Sequence, residues 1–406
     1  MIAELRVVQI LRCAQDDNSR SSCRGFAPGD GRRALRQTCH PEPKARDLHL
    51  LFPLFLLLTL FLAAPSTNAQ GTVYVGTYAK QILVLDEATM KVTDSMPVSV
   101  GIPYDMVLSH ARTHLYAVDP QTEHVEVFDL ATKKATGTFT LSKDSMKVRI
   151  SGMNVDPKER FAVLLIKTTT RKPDRYEIGK PTLVKYDLAR HVVTDTIPWP
   201  KGEEREFAQI IFSPAGDLMY FFTNEDVLVY SADSLKQVDR WDLARSLDDG
   251  LGRFNFGFPS DIYEEPGFYT GLFRLTDPVN RRLIMGVARV DLVKRAVDFY
   301  TLGPSENVGN FRLAPGRKKA YALRSQIGLY EFWTFDLENK RVGGKTEFQG
   351  RPRMGLTASS NGQYLYIHTA GRTIDLYDSQ TFKLVRTIDL PADMTRFLLV
   401  PPRAAQ

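Results

Sequence analysis

The stretch that decides the fold is LVKYDLARHVVTDTI, residues 183–197. An alternating apolar run ends at Asp187, a short polar turn follows, and a second alternating run restarts after Arg190. Period-2 alternation predicts strands with one buried face. An aspartate closing the first strand accepts hydrogen bonds from turn amides two residues on. The stretch therefore reads as a β-hairpin. It returns as ILVLDEATMKVTDSM (82–96), VEVFDLATKKATGTF (125–139), VLVYSADSLKQVDRW (227–241), GVARVDLVKRAVDFY (286–300), FWTFDLENKRVGGKT (332–346) and IDLYDSQTFKLVRTI (374–388). The anchors are Asp86, Asp129, Asp187, Ser231, Asp291, Asp336 and Asp378, spaced by 43, 58, 44, 60, 45 and 42 residues.

Between these hairpins lies a second recurring phrase: VLSHARTHLYAV (107–118), NVDPKERFAVLL (154–165), IFSPAGDLMYFF (211–222), RLAPGRKKAYAL (312–323) and TASSNGQYLYIH (358–369). Each has the Ser/Asp-Pro or Asn-Gly punctuation of a hairpin turn or its equivalent. Two hairpins per unit make four strands, and repeats of ~40–50 residues with four strands are blades of a β-propeller. Seven units predict an all-β, seven-bladed propeller over residues 70–406. TVYVGT (72–77) and TRFLLV (395–400) would pair to close the ring and remove its open edge. No helical period is sustained beyond two turns, with 242–249 as the one candidate, which excludes a parallel α/β fold.

These repeats resemble the YVTN family of seven-bladed propellers, and YVGT at 74–77 is similar to the motif that names it. The layout of units 1 to 5 resembles the propeller subunit of quinohaemoprotein amine dehydrogenases. In that family an insertion before the third Asp turn carries Thr-Arg and then Pro-Asp-x-Tyr-Glu. Thr170-Arg171 and Pro173-Asp174-Arg175-Tyr176-Glu177 stand in the same place here, with a shorter spacing between the two halves. The resemblance implies a non-catalytic subunit of a periplasmic, amine-oxidising assembly. Quinone and haem would then be carried by partner chains, a dihaem cytochrome and a small quinone-bearing subunit, and no cofactor by this one.

Two gaps exceed the basic unit. The first holds RKPDRYEIGKP (171–181), where Arg171, Asp174, Arg175, Tyr176 and Glu177 form a charged, aromatic loop of the kind that docks a partner. The plainer alternative is a solvated hairpin whose arginine and carboxylates pair with one another. The second gap, 243–282, is rich in Phe, Tyr and Gly, and its Asp261, Tyr263 and Glu264 read as a partner or ligand loop. Phe254, Phe256, Phe258 and Phe268 compete for a structural role as wedges between blades. Asp261, Glu264 and Glu265 are residue types that hold Ca²⁺ or trade a proton, but the sequence gives neither role a convergent partner.

Other chemistry finds little support. His110 and His114 lie four apart in a turn rather than on a helix, which disfavours a zinc pair, and His124, His191 and His368 read as ordinary strand residues. No nucleophile elbow, Walker loop, dinucleotide fingerprint or H-E-x-x-H occurs. The apolar run 50–64, with Lys44 and Arg46 before it and PSTNA after it, reads as a signal peptide over 45–69. It falls short of the ~20 residues of a membrane span. Residues 1–44 then form an upstream extension, disordered or translated from a start placed too early. All three cysteines (Cys13, Cys23, Cys39) precede the cut, and the net charge after it is +3, from 44 basic and 41 acidic side chains. Nucleic acid is therefore an unsuited partner.

The sequence thus favours a periplasmic or secreted binding scaffold. Two alternatives stay open: an autonomous, lactonase-like propeller hydrolase working at the central channel, and an extracellular recognition propeller with no redox role.

Overall fold

The computed structural model describes residues 71–244, 252–257, 265–369 and 371–402, all within one compact unit. The signal-peptide and extension readings, and most of the 242–249 helical candidate, lie outside the described residues. Seven antiparallel sheets follow one another along the chain. Blade 1 joins Thr72–Thr77, Gln81–Asp86 and Lys91–Pro97 to the last strand, Met394–Val400, which is innermost. That pairing, Val73 opposite Leu399 and Val75 opposite Phe397, closes the ring as the sequence predicts. Blades 2 to 7 start on the inner strands Asp105–Leu108, Met146–Val155, Gln209–Phe212, Phe254–Phe256, Val308–Leu313 and Gly355–Ala358. Among the described residues the one helical turn is Pro200–Gly202.

The Asp turns form as read. Asp187 accepts from the amides of Ala189 and Arg190 at 3.0 and 2.7 Å, and Asp378 from those of Gln380 and Thr381 at 3.0 and 2.7 Å. One property was invisible in the sequence. The residue four after each anchor (Met90, Lys133, His191, Leu235, Arg295, Lys340, Phe382) has φ between 53 and 57°. None is glycine, so each turn holds an L-residue in a left-handed conformation that costs about 1–2 kcal/mol. The aspartate's hydrogen bonds to the preceding amides over-determine the turn and hold it there.

The alternation needs one correction. The outermost strands do bury one face at most: Val192–Ile197 is exposed or half-buried except at Ile197. The inner three strands of a blade bury both. Val73 and Val75 pack towards blade 7, whereas Tyr74 packs towards blade 2. Every interface between neighbouring blades has such a core, the largest lying between blades 4 and 5 around Tyr220, Phe222, Phe254, Phe256, Tyr269 and Phe273. Fully burying each such ring contributes about 1.5–3 kcal/mol. Phe254 and Phe256 are thus the wedges that the sequence suggested.

Candidate functional site

Strand order gives the disc two unlike faces. The lower face carries the turns from first to second and third to fourth strand, including the six Asp turns and the Ser231 turn of blade 4. The upper face carries the second-to-third connections and the links between blades. The large apolar side chains that connections expose fall almost entirely on the upper face: Tyr78, Tyr104, Tyr176, Ile178, Phe207, Val279 and Ile327, with Ile327 at 89%. The lower face exposes Val293 among the described residues.

The first predicted loop rises from this upper face. Phe161–Arg171 runs to eleven residues, beyond the reach of its blade, and pairs with a short edge strand, Tyr176–Ile178 (Tyr176 opposite Arg171, Ile178 opposite Thr169). Inner strand Met146–Val155 extends alongside it. Arg175 binds Asp174 at 3.1 Å and Glu177 at 2.8 Å, and Lys172 reaches Glu177 at 3.5 Å. Asp174, Arg175 and Glu177 therefore satisfy one another, as in the plainer reading, and such exposed pairs contribute about 0–1 kcal/mol. What the hairpin offers outward is Tyr176 and Ile178, on the same side two residues apart and 66% and 69% exposed.

Asp261, Tyr263 and Glu264 lie outside the described residues. Their neighbour Glu265 is buried in the lower face, where it takes an ion pair from Arg289, a hydrogen bond from Thr270 at 3.2 Å and Arg317 of blade 6 at 3.6 Å. That carboxylate ties two blades. Phe268 lies beneath the Arg289 guanidinium, 3.7 Å from ring centre to carbon, rather than wedged in a core. His114 is held by Glu159 at 2.5 Å, while burial lowers the pKa of His110. Among the described residues no three His, Cys, Asp or Glu side chains gather to hold a metal.

Sequence reasoning named the central channel but assigned it no residues. It is a cavity of about 620 Å³, with Asp105, Asn154, Phe207, Asn310, Arg312, Arg353, His368 and Arg396 among its walls. Inner strands of neighbouring blades do not share a backbone ladder, so polar side chains bridge them. Asn154 donates to Ile210 O at 2.7 Å, Asn310 to Met354 O at 3.3 Å, Arg312 to Leu356 O at 2.6 Å, and Arg396 meets Asp105 at 3.2 Å. His368 closes its strand, stacked on Phe397 at 4.1 Å with Thr357 and Thr369 as ring partners. A side chain at Gly355 would collide with its ring at 2.4 Å. Burial first, then the fields of Arg312, Arg396 and Arg351, hold the His368 pKa well below its usual value. The imidazole is therefore neutral at pH 7. A second cavity of about 200 Å³ lies at the lower end, between Leu108, Leu313, Pro315, Ser359 and Leu399. Among the described residues no helix is long and apolar enough to cross a membrane.

No protein-family model matches the chain, and no curated protein matches it. Solved structures do. A functionally unknown protein from Desulfotomaculum acetoxidans DSM 771 aligns at 13% identity and a TM-score of 0.51, covering 82% of this chain and 99% of that one. The Cps50 (Swd1) β-propeller domain of Myceliophteria thermophila aligns at 12% and 0.50, covering 80% and 95%. The dihydro-haem d1 dehydrogenase NirN in complex with DHE aligns at 12% and 0.49, covering 81% and 75%. At these identities the first two show a likeness of fold alone, and the fold of this chain is the seven-bladed propeller of four-stranded blades.

Proposed function

We propose that the chain is an exported, non-catalytic binding subunit that seats a protein partner on its upper face. The observation carrying this reading is the one-sided display of Tyr78, Tyr104, Tyr176, Ile178, Phe207, Val279 and Ile327 on the upper face, with Phe207 also in the channel wall. Large exposed apolar groups rimmed by charge mark interfaces, and a disc with one such face suits a cap over another subunit. The resemblance around Thr170–Arg171 and Pro173–Glu177 supports an amine-oxidising assembly, with quinone and haem in a small subunit and a dihaem cytochrome. In that arrangement the hairpin and its neighbours cover the partner's substrate site and exclude water from it.

The test is purification of the C-terminally tagged protein from its own host, with mass and visible spectrum of the eluate. Stoichiometric haem-bearing and small subunits would support the reading. A colourless monomer in place of a complex would overturn it.

A further inference from the structure

The channel is more cationic than bridging its strands requires. Its walls carry Arg312, Arg353 and Arg396 against one carboxylate, Asp105, which is engaged by Arg396. Arg353 is exposed at the mouth, and no described carboxylate pairs with it. The backbone there is strained: Arg353 and Thr369, both in the channel wall, adopt φ of 62° and 71°. A left-handed β-branched residue is a genuine outlier, and such strain concentrates at ligand sites. Burial first, and then the fields of Arg312, Arg396 and Arg351, keep the His368 imidazole beside them neutral. At about 620 Å³ the cavity falls within the range that takes small ligands.

We propose that the central channel binds a small multivalent oxyanion, a polycarboxylate or a phosphate, between Arg353, Arg312 and Arg396. The anion enters from the upper face. A planar guanidinium meets a carboxylate or phosphate through two parallel hydrogen bonds, so two or three converging arginines select for more than one negative charge. Neutral His368 contributes ring contact rather than charge. This inference does not rest on the partner reading, because it is measured on the isolated chain.

The experiment is isothermal titration of the intact purified protein with citrate and with inorganic phosphate, glycerol serving as a neutral control. One site per chain is expected for at least one anion, with the affinity falling tenfold or more in Arg353→Gln and again on raising the salt. Citrate binding alone assigns the site to carboxylates, and phosphate binding alone to phosphates. Arg396→Gln is the second variant, checked for native thermal unfolding before titration. Absence of saturable binding of both anions would overturn the proposal. So would binding that Arg353→Gln and a folded Arg396→Gln leave within twofold of the parent.

Discussion

Glu87 of blade 1 and Ser360 of blade 7 hold the ring shut from its lower face. The Glu87 carboxylate is 2% exposed and accepts from the Ser360 amide at 2.7 Å and its hydroxyl at 2.5 Å. It also accepts from Tyr366 at 3.2 Å and from the Gly71 amide at 2.7 Å. One side chain thus joins the first-to-second-strand turn of blade 7 to Gly71, just ahead of the Thr72–Thr77 strand.

Glu87→Ala strands four donors in a buried seam. Hydrogen bonds to a charged group are worth about 1.5–3 kcal/mol each, though not additively. The expected loss is about 3 kcal/mol in urea unfolding, with Glu87→Gln losing less. A loss under about 0.5 kcal/mol would show that the strand pairing alone holds the seam.

Asp226 is the corresponding buried point within blade 4, fully enclosed and bound by Arg205 and Arg240 at 2.9 Å each and by Thr223 at 2.8 Å. Asp226→Asn leaves two guanidiniums facing each other across a neutral amide. Breaking a buried pair costs about 3–5 kcal/mol, read as a lower denaturant midpoint with an unchanged slope.

Tyr176→Ala and Ile178→Ser act differently. Both side chains are exposed, so stability should stay within about 0.5 kcal/mol of the parent. In the tagged pull-down the double variant should retain less than half of the co-eluting partner. Full retention with an unchanged melt would move the interface elsewhere on the face.

The left-handed turn residues give an opposite expectation. His191 (φ 57°) donates its amide to Asp187 and is exposed in the turn. His191→Gly relieves the left-handed strain, partly offset by the entropy of glycine in the unfolded chain. A gain of up to about 1 kcal/mol is expected by chemical denaturation, and a loss would mean that the side chain itself supports the turn.

Stability should fall with acidification in two stages. His368 has a depressed pKa when folded, so below about pH 6.5, its unfolded value, the unfolded chain binds the extra proton and stability begins to drop. His110 adds to this stage. Asp86, Asp129, Asp187, Asp336 and Asp378 are lowered by hydrogen bonds from their turns. Their contribution is full above about pH 4 and is lost as pH falls through the folded values. Urea midpoints from pH 8 to 3 would show both limbs. His368→Gln should make the first shallower, leaving the share of His110, and leave the second.

The blades were legible because each strand pairs with its sequence neighbour, so Asp187 and the run after Arg190 carry the hairpin between them. The channel was not, because no local spacing joins Asp105 to Arg396, nor Asn310 to Met354 three strands away. The inner strands of blades 1 to 4, 6 and 7 contribute from one to four wall residues each, and only ring closure brings them together. His368 looked ordinary for the same reason. The left-handed turns escaped because their residues are Met, Lys, His, Leu, Arg and Phe, which signal nothing by type.

The strand exchange that completes blade 1 also fixes an order of events in the cell. Thr72–Thr77 is synthesised early, yet its inner edge finds a mate only when Met394–Val400 arrives, more than three hundred residues later. Until then the nascent disc is an open crescent with two sticky ends. A chaperone that guards the crescent, or a protease that removes the Met394–Val400 strand, would decide between a finished ring and an aggregating fragment.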